Sequence, residues 1–198
     1  STMNQPPYTL GKVSIGVPGK PVLIGSLFYK SDKKVKNHKT GEVDCKRLDK
    51  ELKKVCTLST RVGLDTAIDV IAETPKAMES YISLLAGMVD VPLLIGGLNE
   101  ESRIAGYGKA KSLGIAGRCG VNSISTVTTD AELAAMKENG IGFAILQTLD
   151  PSAVYPEEKV RLLEESLLVK CGAAGIGAAA VDVGIIDFTS AHLAVESV

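Results

Sequence analysis

Short apolar segments alternate with longer amphipathic segments along most of the chain. Short apolar runs bounded by turn residues are typical of buried strands, whereas apolar residues repeating at helical spacing indicate a helix with one buried face. Helices are predicted at residues 44–62, 74–88, 99–114 and 130–139 and in a long segment after Pro156. Between them we predict about six strands, at residues 22–28, 66–71, 91–97, 117–124, 142–149 and 177–186.

Two of the predicted helices carry clear start signals. Thr74 is expected to be an N-cap, with Pro75 at the first helical position. Thr129 and Glu132 have the spacing of a capping box, in which each side chain bonds the backbone of the other residue. The helix after Thr74 is predicted to bury one face, formed by Met78, Tyr81, Ile82 and Leu85.

Alternating strands and helices with short connections predict a parallel sheet with helical crossovers. An open doubly wound sheet and a closed barrel both give this order. A complete eight-unit barrel typically needs about 250 residues, so a barrel in this chain would stop after about six strand–helix units. No domain linker interrupts the pattern, and we expect a single domain over residues 1–198. Residues 1–20 form its N-terminal region, where the alternation from Tyr8 predicts a β-hairpin at the end opposite the active site.

Composition narrows the class of protein. The chain has 198 residues, 45% of them apolar, and a net charge of -1, which is typical of a globular protein with one core. Lys and Arg are frequent between residues 29 and 54, but interleaved acids predict a solvated face and no nucleic-acid site. Four widely spaced cysteines and two histidines argue against a zinc site or a disulfide scaffold. We expect a cytoplasmic protein with neither a metal nor a membrane span.

Polar side chains fall near the carboxyl ends of four predicted strands: Asp69, Asn122, Gln147 and Asp182. Ligands bind at that edge of a parallel α/β sheet, because strand-to-helix loops and helix N-termini converge there. Local explanations remain open, since Asp69 could cap the following backbone, Asn122 could close an Asx turn and Gln147 could be a satisfied loop amide. Together the four favour a ligand site without a nucleophile, which suits a neutral heterocycle with several N–H donors.

Two further motifs are assigned no function. The G-x-G-x-x-A spacing at residues 175–180 precedes a strand, whereas the dinucleotide-binding fingerprint follows one. His38 has the H-x-x-G spacing of a cobalt-ligating corrinoid loop, but Lys36 stands where such a loop needs an acid to orient the imidazole. We therefore expect His38 to be a solvated histidine, and His192 remains unassigned.

Four segments of the chain resemble the H subunit family of tetrahydromethanopterin S-methyltransferase in order and spacing. They are residues 22–44, 67–78, 91–106 and 121–125. They also resemble relatives that methylate tetrahydrofolate from methylcorrinoid proteins. The similarity runs from about Pro21 to about Asp182. It implies a TIM-type barrel, usually dimeric, that moves a methyl group between N5 of a reduced pterin and the cobalt of a corrinoid carried by a partner protein. No tightly bound cofactor is then expected in this chain.

The resemblance implies roles for the polar residues at the sheet edge. Asp69 and Asp182 are expected to hold the N–H donors of the pterin ring, and Asn122 is expected to hydrogen-bond N5 as the catalytic residue. Gln147 and Asn99 are expected to be further pterin contacts. The chain departs from the family at Gly96 and Gly97, where relatives commonly carry an acid.

Two other functions remain open. One is another pterin-binding barrel of the dihydropteroate synthase type, although no anion-binding loop for a pyrophosphate leaving group is found. The other is a truncated, non-catalytic interaction subunit, because an unclosed barrel exposes strand edges that invite pairing.

Overall fold

Ten strands and six α-helices form in the part of the chain that the structure, a computed structural model, describes, which is residues 7–182. The strands are β1 (Tyr8–Leu10), β2 (Val13–Ile15), β3 (Leu23–Leu27), β4 (Val35–Asn37), β5 (Glu42–Val43), β6 (Thr66–Val70), β7 (Leu93–Ile95), β8 (Cys119–Ile124), β9 (Phe143–Gln147) and β10 (Ala178–Asp182). The helices are α1 (Cys45–Val62), α2 (Pro75–Met88), α3 (Glu100–Ser112), α4 (Asp130–Glu138), α5 (Pro156–Leu162) and α6 (Leu168–Ala174). A π-helical turn at Leu163–Leu167 joins α5 to α6 in one continuous helical segment.

The predicted strand–helix units are confirmed within the described residues. Each of the six predicted strands is present, and the last is described as far as Asp182; the rest of its predicted range lies outside the described residues. The antiparallel pair of β4 and β5 was not predicted, because both strands are very short and lie in the charged segment before α1.

The main sheet has the order β3-β6-β7-β8-β9-β10, and every neighbouring pair is parallel. The order follows the chain without a reversal, so the doubly wound alternative is wrong. Right-handed crossovers that always step in the same direction place all helices on one face of the sheet. The sheet curls into a half-barrel, with the helices on its outside.

The two faces of the sheet are both apolar but have different partners. Outward-facing residues such as Val70 and Val121 pack against the helices, among them the fully buried Tyr81 of α2. On the inner face, the hairpin of β1 and β2 covers the amino ends of the strands, where the Tyr8 ring stacks on Phe143 with centroids 6.0 Å apart. The predicted hairpin and its place opposite the carboxyl edge are thus confirmed.

The helix starts agree with the sequence, with one correction. The Thr74 hydroxyl accepts a hydrogen bond from Ala77 N at 3.0 Å, and the predicted apolar face of α2 is fully buried. Thr129 caps α4 through Glu132 N at 3.2 Å, but the Glu132 side chain does not return to the cap. It bonds Arg103 instead, so the predicted capping box is only half formed.

No helix between residues 7 and 182 is both long enough and apolar enough to cross a bilayer.

Candidate functional site

The carboxyl edge of the sheet gathers the predicted polar residues from neighbouring strands. Asp69 lies near the end of β6, Asn122 lies within β8, and Gln147 and Asp182 are paired in register at the ends of β9 and β10. Asn99 lies in the loop between β7 and α3. Asp69 points toward the inner face, because Ile68 and Val70 on either side of it pack against the helices. Asn122 follows Val121, which also packs against the helices, and so begins on the inner face.

Asp69 is a buried carboxylate with incomplete hydrogen bonding. Its exposed fraction is 8%, and its Oδ2 accepts one long hydrogen bond, from the Ser26 hydroxyl at 3.3 Å. Oδ1 is buried and accepts no hydrogen bond from any described residue. Burial raises the pKa of Asp69 above its usual value, while the neighbouring Asn122 and Ser26 side chains partly oppose that rise. Asp69 does not cap the backbone before α2, because Thr74 fills that role.

The backbone directly after β7 approaches Asp69 very closely at Gly96. A Cβ atom on Gly96 would lie 2.6 Å from Asp69 Oδ1 and 3.1 Å from the Asn122 carbonyl oxygen. The carboxylate of β6 and the backbone of β8 therefore meet over a strand that has no side chain there. An acidic side chain at this position would set a second carboxylate against Asp69.

The two amides of the site are both half-buried. Asn122 lies beside the Asp69 carboxylate, and a cis peptide bond follows it. The Gln147 Oε1 atom accepts a hydrogen bond from the Ser123 hydroxyl at 3.1 Å, which fixes the orientation of its amide. The next residue, Thr148, donates to the Asp182 carbonyl through both N (3.1 Å) and Oγ1 (2.8 Å), so the ends of β9 and β10 are tied together.

Asn99 has a structural use at the same edge. Its Oδ1 caps α3 by accepting from Ser102 N at 3.0 Å, and its Nδ2 donates to the Glu73 carbonyl at 3.4 Å. The cap links the loop after β7 to the loop after β6. Its role as a pterin contact stays a prediction, and so do the binding roles of Asp69, Asp182, Gln147 and Asn122.

A buried ion pair behind the site holds the loop after β7, and sequence reasoning missed it. Arg103 of α3 bonds Glu132 of α4 through two nitrogens at 2.6 and 2.8 Å, and its third nitrogen donates to the Gly97 carbonyl at 2.8 Å. Tyr107 donates to the same Glu132 at 2.9 Å. The sequence contained one signal, an acid at a helical position that faces the core.

Lys170 of α6 holds the loop that follows β8. Its Nζ donates to the carbonyls of Ser125, Thr126 and Thr128 at 3.2, 2.9 and 2.7 Å. The Thr126 hydroxyl then donates to Asp150, in the loop after β9, at 3.0 Å. These bonds cross-link the loops that surround the site.

The charged segment before α1 is not solvated throughout, which corrects the sequence-based expectation. Asp32 and Lys34 are buried and form an ion pair at 2.7 Å, and Lys34 also pairs with Glu51 of α1 at 2.5 Å. Burial raises the pKa of Asp32, but hydrogen bonds from Lys34 and from backbone N–H groups outweigh it, so that pKa lies below its usual value. This cluster fixes the loop after β3 to α1.

The described residues contain no group of three or more His, Cys, Asp or Glu side chains that could hold a metal ion. All four cysteines are free thiols. His38 is partly buried, with Nδ1 4.0 Å from Glu73 Oε1. The expectation of a solvated histidine is therefore corrected. His192 lies outside the described residues.

The fold and the site define a parallel α/β half-barrel whose carboxyl edge carries a buried, incompletely bonded carboxylate beside two amides. Such a convergence of polar groups makes this edge the candidate small-ligand site. The chain belongs to the family described as the tetrahydromethanopterin S-methyltransferase MtrH subunit, whose family model matches residues 7–198.

Several proteins named as the H subunit of tetrahydromethanopterin S-methyltransferase are similar to the chain. That of Methanothermobacter thermautotrophicus is 25% identical over 177 residues, which cover 88% of this chain and 54% of the relative. That of Methanopyrus kandleri is 28% identical over 152 residues, covering 76% and 47%. That of Methanococcus aeolicus is 29% identical over 150 residues, covering 75% and 47%. The chain spans about half the length of the curated relatives it matches.

Proposed function

We propose that this protein takes part in moving a methyl group between N5 of a reduced pterin, tetrahydromethanopterin or tetrahydrofolate, and the cobalt of a corrinoid carried by a partner protein. We further propose that its half-barrel belongs to a TIM-type (βα) barrel. Family membership supports the reaction class, and the Asp69 carboxylate with its unused acceptor atom is the observation that carries the assignment of the site.

Asp69 suits the recognition of a ring with N–H donors. An unpaired carboxylate that is this deeply buried costs free energy unless something pairs with it, and a ligand N–H group would do so. A reduced pterin offers an exocyclic amine and a ring N–H side by side, which a carboxylate can accept together. Asp182 is proposed to accept a further ring N–H from the end of β10, and Gln147 lies between them in register with Asp182.

Asn122 is proposed to act at N5. Methyl transfer is an in-line displacement with N5 and cobalt(I) as leaving group and nucleophile, so the protein contributes alignment and charge stabilisation. An amide can turn either its oxygen or its NH2 group toward N5 and hydrogen-bond the ring in both states. Its position beside Asp69 supports this role, because the carboxylate would hold the other end of the same ring.

Exposed apolar side chains on the loops at the carboxyl edge support delivery of the corrinoid by a partner. Leu98 follows β7, Val127 follows β8, and Leu149 and Tyr155 follow β9. The hydrogen bonds of Lys170 and Thr126 hold the loops after β8 and β9 together on one side of this rim. A protein that presents a methylated corrinoid to the site would cover that rim.

The test mixes the protein with a cobalt(I) corrinoid protein and a methylated reduced pterin and follows the methylcobalt absorption spectrum. We expect methylcobalt to form at a rate that rises with protein concentration. The Asn122→Ala variant is expected to lower the single-turnover rate by about 10²–10³, the effect of removing one donor to a developing charge, with a smaller loss of pterin affinity. A normal rate in folded Asn122→Ala protein would remove Asn122 from the mechanism.

A second candidate function, a non-catalytic subunit, is favoured by the free edge of β3. Among the described strands β3 pairs only with β6, and Leu23 and Ile24 are exposed beside Leu58 of α1. A partner strand and helix could cover this surface. Absence of pterin binding, together with a stable complex of defined mass with another polypeptide, would support this function over the first.

A further inference from the structure

Gly96 is a glycine whose backbone conformation does not require one. Its φ lies outside the left-handed region, whereas its neighbour Gly97 has a φ of 93° and therefore needs glycine. The absence of a side chain at Gly96 must therefore be explained by the atoms that surround this position. That space is occupied by the Asp69 carboxylate, whose Oδ1 would lie 2.6 Å from a Cβ atom.

The contacts of Asp69 reach two different strands. Oδ1 packs directly over Gly96, the residue that follows β7, and Oδ2 accepts a hydrogen bond from Ser26 of β3. A side chain at residue 96 would leave no room for Oδ1 and would turn the carboxylate away from β7. A distance of 2.6 Å between a Cβ atom and Oδ1 is so short that one of the two groups has to move. The Asp69 side chain can rotate, whereas the other close atom, the Asn122 carbonyl oxygen, belongs to the backbone.

We infer that Gly96 is a positioning residue, which sets the direction of the Asp69 carboxylate by leaving space for Oδ1 at the end of β7. This inference deepens the proposed function, on which its ligand-binding readout rests. Its chemical consequence is selectivity, because the direction of the carboxylate determines which pair of N–H donors on a planar heterocycle can reach it together.

The experiment is a double-mutant cycle with Gly96→Ala and Asp69→Ala in the whole chain, measured by binding of a reduced pterin and by urea unfolding. In the wild-type background, Gly96→Ala is expected to weaken binding by about tenfold, equivalent to about 1.4 kcal/mol, and to destabilise the fold. In the Asp69→Ala background the clashing carboxylate is gone, and the same change is expected to cost less than about twofold in affinity, with little loss of stability.

Gly25→Ala is the matched control, because Gly25 is a strand glycine of β3 whose Cβ would meet no atom within 4 Å. It is expected to leave binding and stability unchanged in both backgrounds. Equal losses from Gly96→Ala with and without the Asp69 carboxylate would overturn the inference, since Gly96 would then act through the Asn122 backbone or through packing alone.

The titration of Asp69 tests the role of Gly96 without any ligand. The pH titration of the Asp69 carboxyl carbon, followed by NMR, is expected to shift its midpoint in Gly96→Ala and to stay unchanged in Gly25→Ala. If the wild-type protein binds no reduced pterin, the proposed function fails, and the stability cycle and this titration still decide the role of Gly96. An unchanged Asp69 titration in folded Gly96→Ala protein would overturn that role.

Discussion

Two buried carboxylates in this protein have opposite surroundings. Glu132, on the helical side of the sheet, is fully buried and accepts hydrogen bonds from two nitrogens of Arg103 and from the Tyr107 hydroxyl. Asp69, on the inner side, is 8% exposed and has only neutral neighbours, Ser26 and Asn122; the Ser26 hydroxyl donates to Oδ2 at 3.3 Å, and no hydrogen bond of good geometry reaches Oδ1 among the described residues.

The difference implies that the Glu132 carboxylate stabilises the fold, whereas the Asp69 carboxylate does not. A buried charge with a bidentate arginine partner is compensated, and removing one member leaves the other uncompensated. A buried charge without such a partner weakens the folded state and persists where a ligand uses it. Glu132 is therefore expected to matter for stability, and Asp69 for binding.

The largest effect is expected at the paired carboxylate. Glu132→Ala leaves the Arg103 guanidinium largely buried without its partner and should lower the free energy of unfolding by about 3–5 kcal/mol. Urea unfolding at neutral pH measures this loss. Glu138→Ala is the control, because this exposed residue of the same helix should change stability by less than about 0.5 kcal/mol. Equal effects of the two substitutions would mean that the ion pair does not stabilise the protein.

A smaller effect, on binding, is expected at the unpaired carboxylate. Asp69→Asn should weaken the binding of a reduced pterin by about 1.5–3 kcal/mol, the range for losing a charge-assisted hydrogen bond. Asp182→Asn should have an effect of similar size. Isothermal titration calorimetry gives both values, and Asp65→Asn, in the turn before β6, serves as the control. If either variant binds the pterin with wild-type affinity, the acid that it replaces has only a structural role.

The smallest effect is expected at Ser26, whose hydroxyl donates a hydrogen bond to Asp69 Oδ2. Ser26→Ala should raise the pKa of Asp69 further, because a hydrogen bond to the charged form is lost, and it should lower stability at neutral pH by about 0.5–1 kcal/mol. An NMR titration of the Asp69 carboxyl carbon beside urea unfolding tests both effects. Ser83→Ala, at an exposed serine of α2, should change neither quantity.

The order of the strands and the position of Asp69 could be predicted from sequence, because both depend on local patterns. Apolar runs mark β6 and β8, and Thr74 with Pro75 marks the start of α2. Parallel strands end at one edge, so residues near their carboxyl ends were expected to come together there. The register of Gln147 with Asp182 confirms that expectation.

Pairing between distant residues could not be predicted in the same way. Glu132 follows Thr129 at capping-box spacing, yet Arg103, 29 positions earlier in the chain, takes its carboxylate. Lys34 lies in a charged segment that resembles solvated surface, yet it is buried between Asp32 and Glu51. The contact of Gly96 with Asp69 likewise joins two strands, and neither sequence segment alone reveals it.

We expect the Asp69 carboxylate to serve ligand binding at the expense of the stability of the fold. Its pKa is raised in the folded state, so the folded protein binds a proton more tightly than the unfolded chain. The charge therefore weakens the fold increasingly as pH rises from the unfolded value of 3.8 through the raised folded value.

The most direct measurement is the free energy of unfolding of wild type and Asp69→Asn, compared at about pH 7 and at a pH close to the unfolded value of 3.8. We predict that Asp69→Asn is at least as stable as wild type at the higher pH, and that its advantage shrinks at the lower pH as wild-type Asp69 takes up a proton. A loss of more than about 1 kcal/mol in Asp69→Asn at the higher pH, with no recovery at the lower, would contradict the claim by showing that the charged carboxylate stabilises the fold.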